Sequence, residues 1–291
     1  MIETLRSPID ELESTNHETE KKTGHNIEII ASFRRHFDPK KSPENLSLDE
    51  LSDKGKAQAA ELGTNLTGKV KGYASPKERA QETIDIAFQN ASESAVIINQ
   101  KLLDDKRQVK SREFNIRVKK ELDTIPGIKN LVLKATELAD KELTPEDKME
   151  KHDYIIQYYL DHPEEMTEPG GSPREAAQDI ASRVDLYRRM SDRLYDGSEV
   201  RLENVTHGPK LESFLKEVLL RLEGDKVKKG FDNVMEIGGA FKPGENIEVV
   251  IKKDEAGQEK MILIVRGQEY EIDSEEVKKL AEEYTERRAK K

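Results

Sequence analysis

The sequence predicts an α/β fold, a three-layer α/β/α sandwich around a mostly parallel central sheet. Short runs of apolar, often β-branched residues alternate along the chain with longer segments whose apolar residues recur at helical spacing. Strands that alternate with helices favour parallel strands joined by crossover helices. Polar side chains also gather where predicted strands meet predicted helices, which is where sites form in such sheets.

The composition indicates a globular chain with a large solvated surface. Of 291 residues, 37% are charged and 34% hydrophobic, but both signs are interspersed and the net charge is only −10. The lack of Cys excludes disulfide frameworks, thiol nucleophiles and Cys-ligated zinc. No apolar run reaches the roughly 20 residues of a membrane span, and the polar N-terminus lacks a signal-peptide core. We therefore expect a cytoplasmic protein with no membrane partner, and the acidic balance argues against nucleic acid as a partner.

The chain divides into a core with three additions. Residues 1–26 have no apolar period and predict a polar tail, whereas residues 27–252 predict the core. Residues 106–165 are charged and helical, which predicts an insertion that forms a cap or lid over one end of the sheet. Residues 253–291 predict the completion of a β-hairpin and a charged terminal helix capped by Asp273.

The first part of the core predicts three strands and two helices. The predicted strands are Ile27–Ser32, Lys71–Ala74 and Ala95–Ile98. One helix is predicted to begin near Ser52, because Ala59, Leu62 and Leu66 follow at helical spacing. Residues 75–78, Ser-Pro-Lys-Glu, have the pattern of a capping box with Pro at the first helical position, which predicts the start of the second helix.

The second part of the core repeats this alternation. A second Ser-Pro-x-Glu pattern at residues 172–175 predicts the start of a long helix. Pro209 is predicted to begin an amphipathic helix whose apolar face extends to Leu222. The remaining predicted strands are Val200–Thr206, Ile247–Ile251, Met261–Val265 and Gln268–Ile272, of which the second and third form a hairpin.

Three strand-to-helix junctions carry basic and histidine side chains. Arg35 and His36 follow the first strand, Arg79 lies in the first turn after the second, and His207 follows Val200–Thr206. If these strands are parallel neighbours, two His and two Arg converge on one rim of the sheet. Such a set suits a phosphoryl group, because Arg binds phosphate oxygens in pairs and a neutral imidazole can attack phosphorus. Taken singly, the Arg-Arg-His junction is more often a solvated loop, Arg79 a surface helix residue, and His207 a helix-capping or core histidine.

The order of these motifs resembles that of the histidine phosphatase superfamily, the phosphoglycerate mutase-like group. Arg-His comes first, then Ser-Pro-x-x-Arg-Ala-x-x-Thr at residues 75–83, then Thr-His-Gly at residues 206–208. Residues 51–59 are similar to the family's Leu-Thr-x-x-Gly-x-x-Gln-Ala, which follows its first His. The resemblance covers roughly residues 27–105 and 166–252.

The resemblance implies a role for each matched residue. His36 is the expected nucleophile, which takes the phosphoryl group as a phosphohistidine. Arg35 and Arg79 are expected to hold phosphate oxygens, while His207 completes the pocket and stabilises the transferring group. Gly208 is a further expected substrate-binding residue. Phosphoryl transfer depends mainly on positioning and charge stabilisation, so this set is sufficient without a metal or cofactor.

A carboxylic acid must protonate the leaving oxygen. The family places it in a Leu-x-acid pattern before its variable insertion, which residues 103–105, Leu-Asp-Asp, match. Asp105 is therefore the expected acid, with Asp104 in reserve, and both could equally be a solvated strand end. One departure from the family is Phe37, which stands where Gly is usual and either narrows the pocket or points away from it.

Three functions remain open at this stage. The leading prediction is a metal-independent phosphomonoesterase that acts on a small phosphorylated substrate through phospho-His36. A phosphoglycerate mutase-type transferase is the first alternative, although the mutases' Arg-His-Gly-Glu-Ser run is absent. The second alternative is a non-catalytic phospho-ligand binder or scaffold that uses the charged insertion and terminal helix for protein contacts.

Overall fold

A computed structural model describes residues 24–42, 47–98, 116–144 and 146–290. The twelve strands of this part are β1 (Ile27–Arg35), β2 (Pro39–Lys41), β3 (Ser47–Leu51), β4 (Gly68–Ala74), β5 (Ala95–Ile97), β6 (Arg117–Val118), β7 (Glu199–Thr206), β8 (Leu219–Glu223), β9 (Lys226–Lys229), β10 (Asn246–Lys253), β11 (Glu259–Val265) and β12 (Gln268–Ile272). The α-helices are α1 (Asp53–Thr64), α2 (Glu78–Gln89), α3 (Ile128–Glu142), α4 (Lys151–Asp161), α5 (Pro173–Ser191), α6 (Lys210–Val218) and α7 (Ser274–Ala289).

One sheet of ten strands organises the molecule. Its order is β5-β4-β7-β1-β10-β11-β12-β8-β9, and β6 also pairs with β4. The strands β5, β6, β4, β7 and β1 are parallel, whereas the pairs from β1–β10 onward are antiparallel. The α/β class is confirmed, and the parallel strands hold all the junctions at which the site was predicted.

Helices cover the sheet on both sides. Alternate residues of a strand point to opposite faces. Ile29 and Phe33 of β1 are fully buried in the large apolar cluster formed with α5, α6 and α7. Val70 of β4 belongs to a second cluster with Ile84 of α2 on the other face. The molecule therefore has the predicted three layers.

Of the four helix starts for which the sequence predicts a position or a cap, three are confirmed. The side chain of Ser52 accepts a hydrogen bond from Gly55 N at α1, residues 172–175 form a reciprocal capping box at α5, and Asp273 caps α7. The prediction for α2 was wrong, because this helix begins at Glu78 with Lys77 as its N-cap. The Ser75 hydroxyl accepts a hydrogen bond from Lys77 N and lies outside the helix.

The structure contains two β-hairpins that the sequence did not predict. The helix predicted from Pro209 to Leu222 ends at Val218, and residues 219–223 form β8, which pairs with β12 and β9. The Leu-Leu-Arg-Leu-Glu run fits a period of two as well as a helix, and Gly224, with φ of +61°, supplies the turn. The segment after His36, for which the sequence predicts no strand, contains the β2–β3 hairpin, whose Leu51 is buried against α1.

The region around the predicted insertion contributes both a strand and helices. Within its described part, β6 pairs with β4, and α3 packs against α4. The domain boundaries derived from the sequence stay a prediction. Among the described residues, no helix has the length and apolar character that crossing a bilayer would require.

Candidate active site

The two predicted histidines lie side by side at one edge of the sheet. His36 directly follows β1 and His207 directly follows β7, and these strands are parallel neighbours with Arg35 opposite Thr206. The backbone N–H of His36 donates to Thr206 O over 3.0 Å. The centroids of the two imidazole rings are 5.0 Å apart. Both side chains are almost fully buried, so the sheet register itself sets their spacing.

Arg79 joins the two rings. Its Nε donates to His36 Nε2 over 3.0 Å, and its Nη2 lies 3.4 Å from His207 Nδ1. A guanidinium can only donate, so both of these ring nitrogens are unprotonated acceptors. The protons therefore sit on the other two nitrogens. His36 Nδ1 donates to Phe37 O over 2.7 Å, and His207 Nε2 donates to Ser75 Oγ over 2.7 Å.

The surroundings keep both imidazoles neutral. Burial is the main cause that lowers the pKa of His36, to about 3, and the positive charges of Arg79 and Arg35 lower it further, against the opposing hydrogen bond to Phe37 O. Burial is the main cause that holds the pKa of His207 well below its ordinary value. The neighbouring His36 and the cations Arg79, Lys210 and Arg35 lower it further. At neutral pH His36 Nε2 is therefore unprotonated, and its lone pair becomes available to act as a nucleophile once Arg79 Nε turns away from it.

Arg35 and Gly208 meet on the far side of the pair. Nη1 of Arg35 donates to Phe241 O over 2.6 Å and lies 2.9 Å from His152 Nε2. A Cβ built on Gly208 would lie 3.4 Å from Arg35 Cζ, so glycine allows the backbone to approach the guanidinium closely. The structure thus brings together five of the six predicted site residues.

The sixth predicted residue, Asp105, lies outside the described residues, as does its reserve Asp104. Two other carboxylates act on Arg79. Asp49 of β3 places Oδ1 3.5 Å from Arg79 Nη1, and both Asp49 and Asp123 oppose the lowering of the Arg79 pKa that burial causes. The choice of the acid therefore stays a prediction.

Phe37 does not crowd the histidines. Its ring is 6% exposed and packs in a small apolar cluster with Leu51 and Ala59. A Cβ on Gly244, whose φ is +90°, would lie 2.6 Å from Phe37 Cδ1, so the ring is accommodated by a glycine at that position. The Phe37 side chain therefore contributes to packing.

A pocket opens beside Arg79, and we call it the Arg79 pocket. It measures about 370 Å³, and its lining includes Lys77, Arg79, Thr124 and Lys129. The lining also includes Asp49, which pairs with Arg79, so three cations face one carboxylate, and this excess of positive charge suits an anionic group beside Arg79. Within the described ranges, the one group of three residues able to hold a metal ion is His162, Glu164 and Glu165, and it includes neither His36 nor His207.

No protein-family profile and no curated protein sequence matches the chain. Solved structures do resemble it. The protein histidine phosphatase SixA, in complex with tungstate, is 10% identical with a TM-score of 0.33, and 83% of this chain and 96% of that chain are covered. Mycobacterial hydrolase 2 is 12% identical with a TM-score of 0.43, over 88% and 97% of the two chains. A mycobacterial glucosyl-3-phosphoglycerate phosphatase is 13% identical with a TM-score of 0.39, over 80% and 96%. Identities and TM-scores this low establish no shared activity.

Three residues at the site escaped sequence reasoning. Ser75 was interpreted as a helix cap, yet its hydroxyl holds His207. His152 reaches Arg35 from α4, in a charged segment without a motif. Glu212 of α6 is fully buried and accepts a hydrogen bond from Phe241 N over 2.7 Å, although the sequence around it is that of an ordinary amphipathic helix. Burial raises the pKa of the Glu212 carboxyl.

Proposed function

We propose that this chain is a metal-independent phosphomonoesterase of the histidine phosphatase type, which acts on a small phosphorylated substrate. The observation that carries the proposal is the state of His36, a neutral imidazole whose Nδ1 is fixed by Phe37 O while Nε2 faces Arg79. A nucleophile needs an unprotonated nitrogen such as His36 Nε2. The adjacent guanidinium of Arg79 can stabilise the negative charge of the phosphoryl group that this nitrogen attacks. The sequence motifs that resemble the superfamily support the same reading.

In the first step, His36 Nε2 attacks phosphorus, and the ester P–O bond breaks as the P–N bond forms. Arg79 and Arg35 turn their N–H groups from their present partners to the phosphoryl oxygens, and His207 stabilises the charge from the side of β7. The leaving oxygen takes a proton from a carboxylic acid, for which Asp105 is the candidate. In the second step, water gives a proton to that carboxylate and attacks phosphorus, which releases inorganic phosphate and free His36.

The test compares hydrolysis of p-nitrophenyl phosphate in EDTA by the wild type, His36→Ala and His25→Ala. His25 is exposed and lies before β1, so it is a matched control. We expect the wild type and His25→Ala to be equally active and His36→Ala to lose at least about a thousandfold in kcat, as loss of a nucleophile does. Acid-labile, alkali-stable phosphate should label the wild type and His25→Ala but not His36→Ala.

Equal rates for the wild type and His36→Ala would overturn the proposal, as would labelling that persists in His36→Ala. Interconversion of phosphoglycerates faster than their hydrolysis would instead identify a mutase. A protein that binds orthophosphate but turns over none of these substrates would be a phospho-ligand binder.

A further inference from the structure

A second basic cavity adjoins the Arg79 pocket, and we call it the α7 groove. It measures about 660 Å³ and is formed by residues in the ranges 118–126 and 284–288, by Pro169 and Gly170, and by Asp179 and Lys210. Thr124 lines both the groove and the Arg79 pocket, so the two cavities share a wall. A ligand that occupied both would pass over this residue.

Two of the cations in the groove are neutralised within the protein. Lys210 Nζ lies 2.7 Å from Asp179 Oδ2, and Arg287 Nη2 lies 2.5 Å from Asp179 Oδ1. Asp179 thus pairs with both cations, and Arg287 Nη1 also lies 3.5 Å from Glu175 Oε1. Glu121 and Asp123, the other two carboxylates of the lining, accept no ion pair from a described side chain.

Three further cations of the lining have no carboxylate within ion-pair distance in the described part of the chain. They are Lys119, Lys120 and Arg288. Arg288 is exposed, with its guanidinium over the ring of Tyr284, and Lys120 is exposed as well. In all, five cations face three carboxylates, so the groove carries excess positive charge where a ligand can reach it.

The buried guanidinium of Arg183 adds to the positive charge near the α7 groove. Arg183 is 2% exposed, and its guanidinium lies over the rings of Tyr73 and Tyr187, 4.4 and 4.7 Å from their centroids. It forms no salt bridge within the described ranges, so a full positive charge is embedded next to the groove. Burial is the main cause that lowers the pKa of Lys119; the positive charge of Arg183 lowers it further, and Glu121 opposes the change.

We propose that the α7 groove binds a second phosphate of the substrate while the Arg79 pocket holds the phosphate that is cleaved. The inference rests on the proposed function and deepens it, since it selects small molecules with two separated phosphate groups over simple monophosphates. Lys120 and Arg288 provide the accessible charges, and Arg183 supplies a fixed field that a bound anion would compensate.

The test uses alkyl phosphates with and without a terminal phosphonate, in a series of increasing chain length. The phosphonate mimics the second phosphate and cannot be hydrolysed, so each molecule has one scissile group. The variant Lys120→Gln/Arg288→Gln removes two exposed charges and should fold normally. Lys278→Gln removes a charge from α7 outside the groove and is the control.

For the wild type we expect a lower KM for the phosphonate-bearing substrate whose length spans Thr124. The double variant should raise that KM by about tenfold, the combined effect of two partly exposed charge pairs. Its kcat, its KM for the plain alkyl phosphate and its inhibition by orthophosphate should stay at wild-type values. Lys278→Gln should match the wild type throughout.

An unchanged KM for the phosphonate series in the double variant would overturn the inference while leaving the proposed function intact. If no variant hydrolyses any phosphate, the proposed function fails. In that case calorimetric titration with the phosphonate-bearing phosphate still decides about the groove. Weaker binding by the double variant than by Lys278→Gln supports it, and equal binding refutes it.

Discussion

His36 is a buried imidazole that the fold keeps neutral, and this has a consequence for stability. Its pKa is about 3 in the folded protein, against an ordinary value of 6.5. As the pH falls below about 6.5, the unfolded chain takes up a proton at this residue that the native state refuses. The contribution of neutral His36 to the free energy of unfolding is therefore complete above about pH 6.5. It is lost progressively as the pH falls toward 3, by about 1.4 kcal/mol per pH unit.

The matching experiment measures the free energy of unfolding of the wild type and of His36→Asn by urea titration between about pH 6 and pH 4. The wild type should lose stability more steeply than the variant, by about 1.4 kcal/mol per pH unit. Titration of groups that do not interact with His36 cancels in this comparison. Two parallel curves would show that His36 titrates normally in the folded protein.

Ser75 holds the second histidine. Its hydroxyl accepts from His207 Nε2 and so keeps Nδ1 as the acceptor that faces Arg79. Ser75→Ala frees the ring to take the other tautomer, and we expect kcat to fall by about tenfold, the lower range for loss of an orienting partner. Ser52→Ala is the matched control, because it also loses a hydrogen bond at a helix start but touches no histidine. Equal kcat values for the two variants would contradict this role.

The sequence could predict those site residues that directly follow the end of a recognisable strand. His36, Arg79 and His207 each follow a strand that is recognisable from its apolar run, and parallel strands place such residues at one edge. Ser75, His152 and Glu212 were missed for a physical reason. Their roles depend on tertiary contacts with His207, Arg35 and Phe241, which no local spacing encodes.

At the scale of elements, α7 is bound to the rest of the molecule by both charge and apolar packing. Arg174 of α5 donates to Glu276 and Glu283 of α7, over 3.1 and 2.8 Å. These pairs are partly exposed, so their contribution to stability is small. The buried Val277 and Leu280 provide the larger share.

We therefore expect Leu280→Ala to lower the free energy of unfolding by about 3 kcal/mol, the typical cost of a cavity at a fully buried leucine. Leu222→Ala is the matched control. Its side chain is 78% exposed on β8, so the same substitution should change stability by less than about 0.5 kcal/mol. Denaturant titrations of both variants test this. Equal losses would show that α7 is not anchored through Leu280.

The end of α6 shows why element boundaries were harder to predict than elements. Helix and strand compete wherever an apolar run fits both periods, and the outcome at residues 219–223 depends on β12, which lies about fifty residues further along the chain. The starts of α1, α5 and α7 were predictable because a side chain within three residues caps each of them.

At the scale of the whole molecule, the central sheet has a parallel part and an antiparallel part with different roles. The parallel strands present His36, Arg79 and His207, whereas the antiparallel strands β10, β11 and β12 continue the sheet beyond β1. The fold class could be predicted because alternation of strands and helices is a property of the entire sequence. The strand order could not, since it depends on which edges meet across hundreds of residues.

The parallel register of β1 and β7 also bears on how such a protein can change over evolution. The backbone pairing of Arg35 with Thr206 sets the distance between the histidines, and the helices α3 and α4 take no part in that pairing. The residues that line the α7 groove take no part in it either, so substitutions there leave the separation of the two imidazole rings unchanged. Under the proposed function, new substrate preferences can therefore arise at one rim of the molecule while the histidine pair stays as it is.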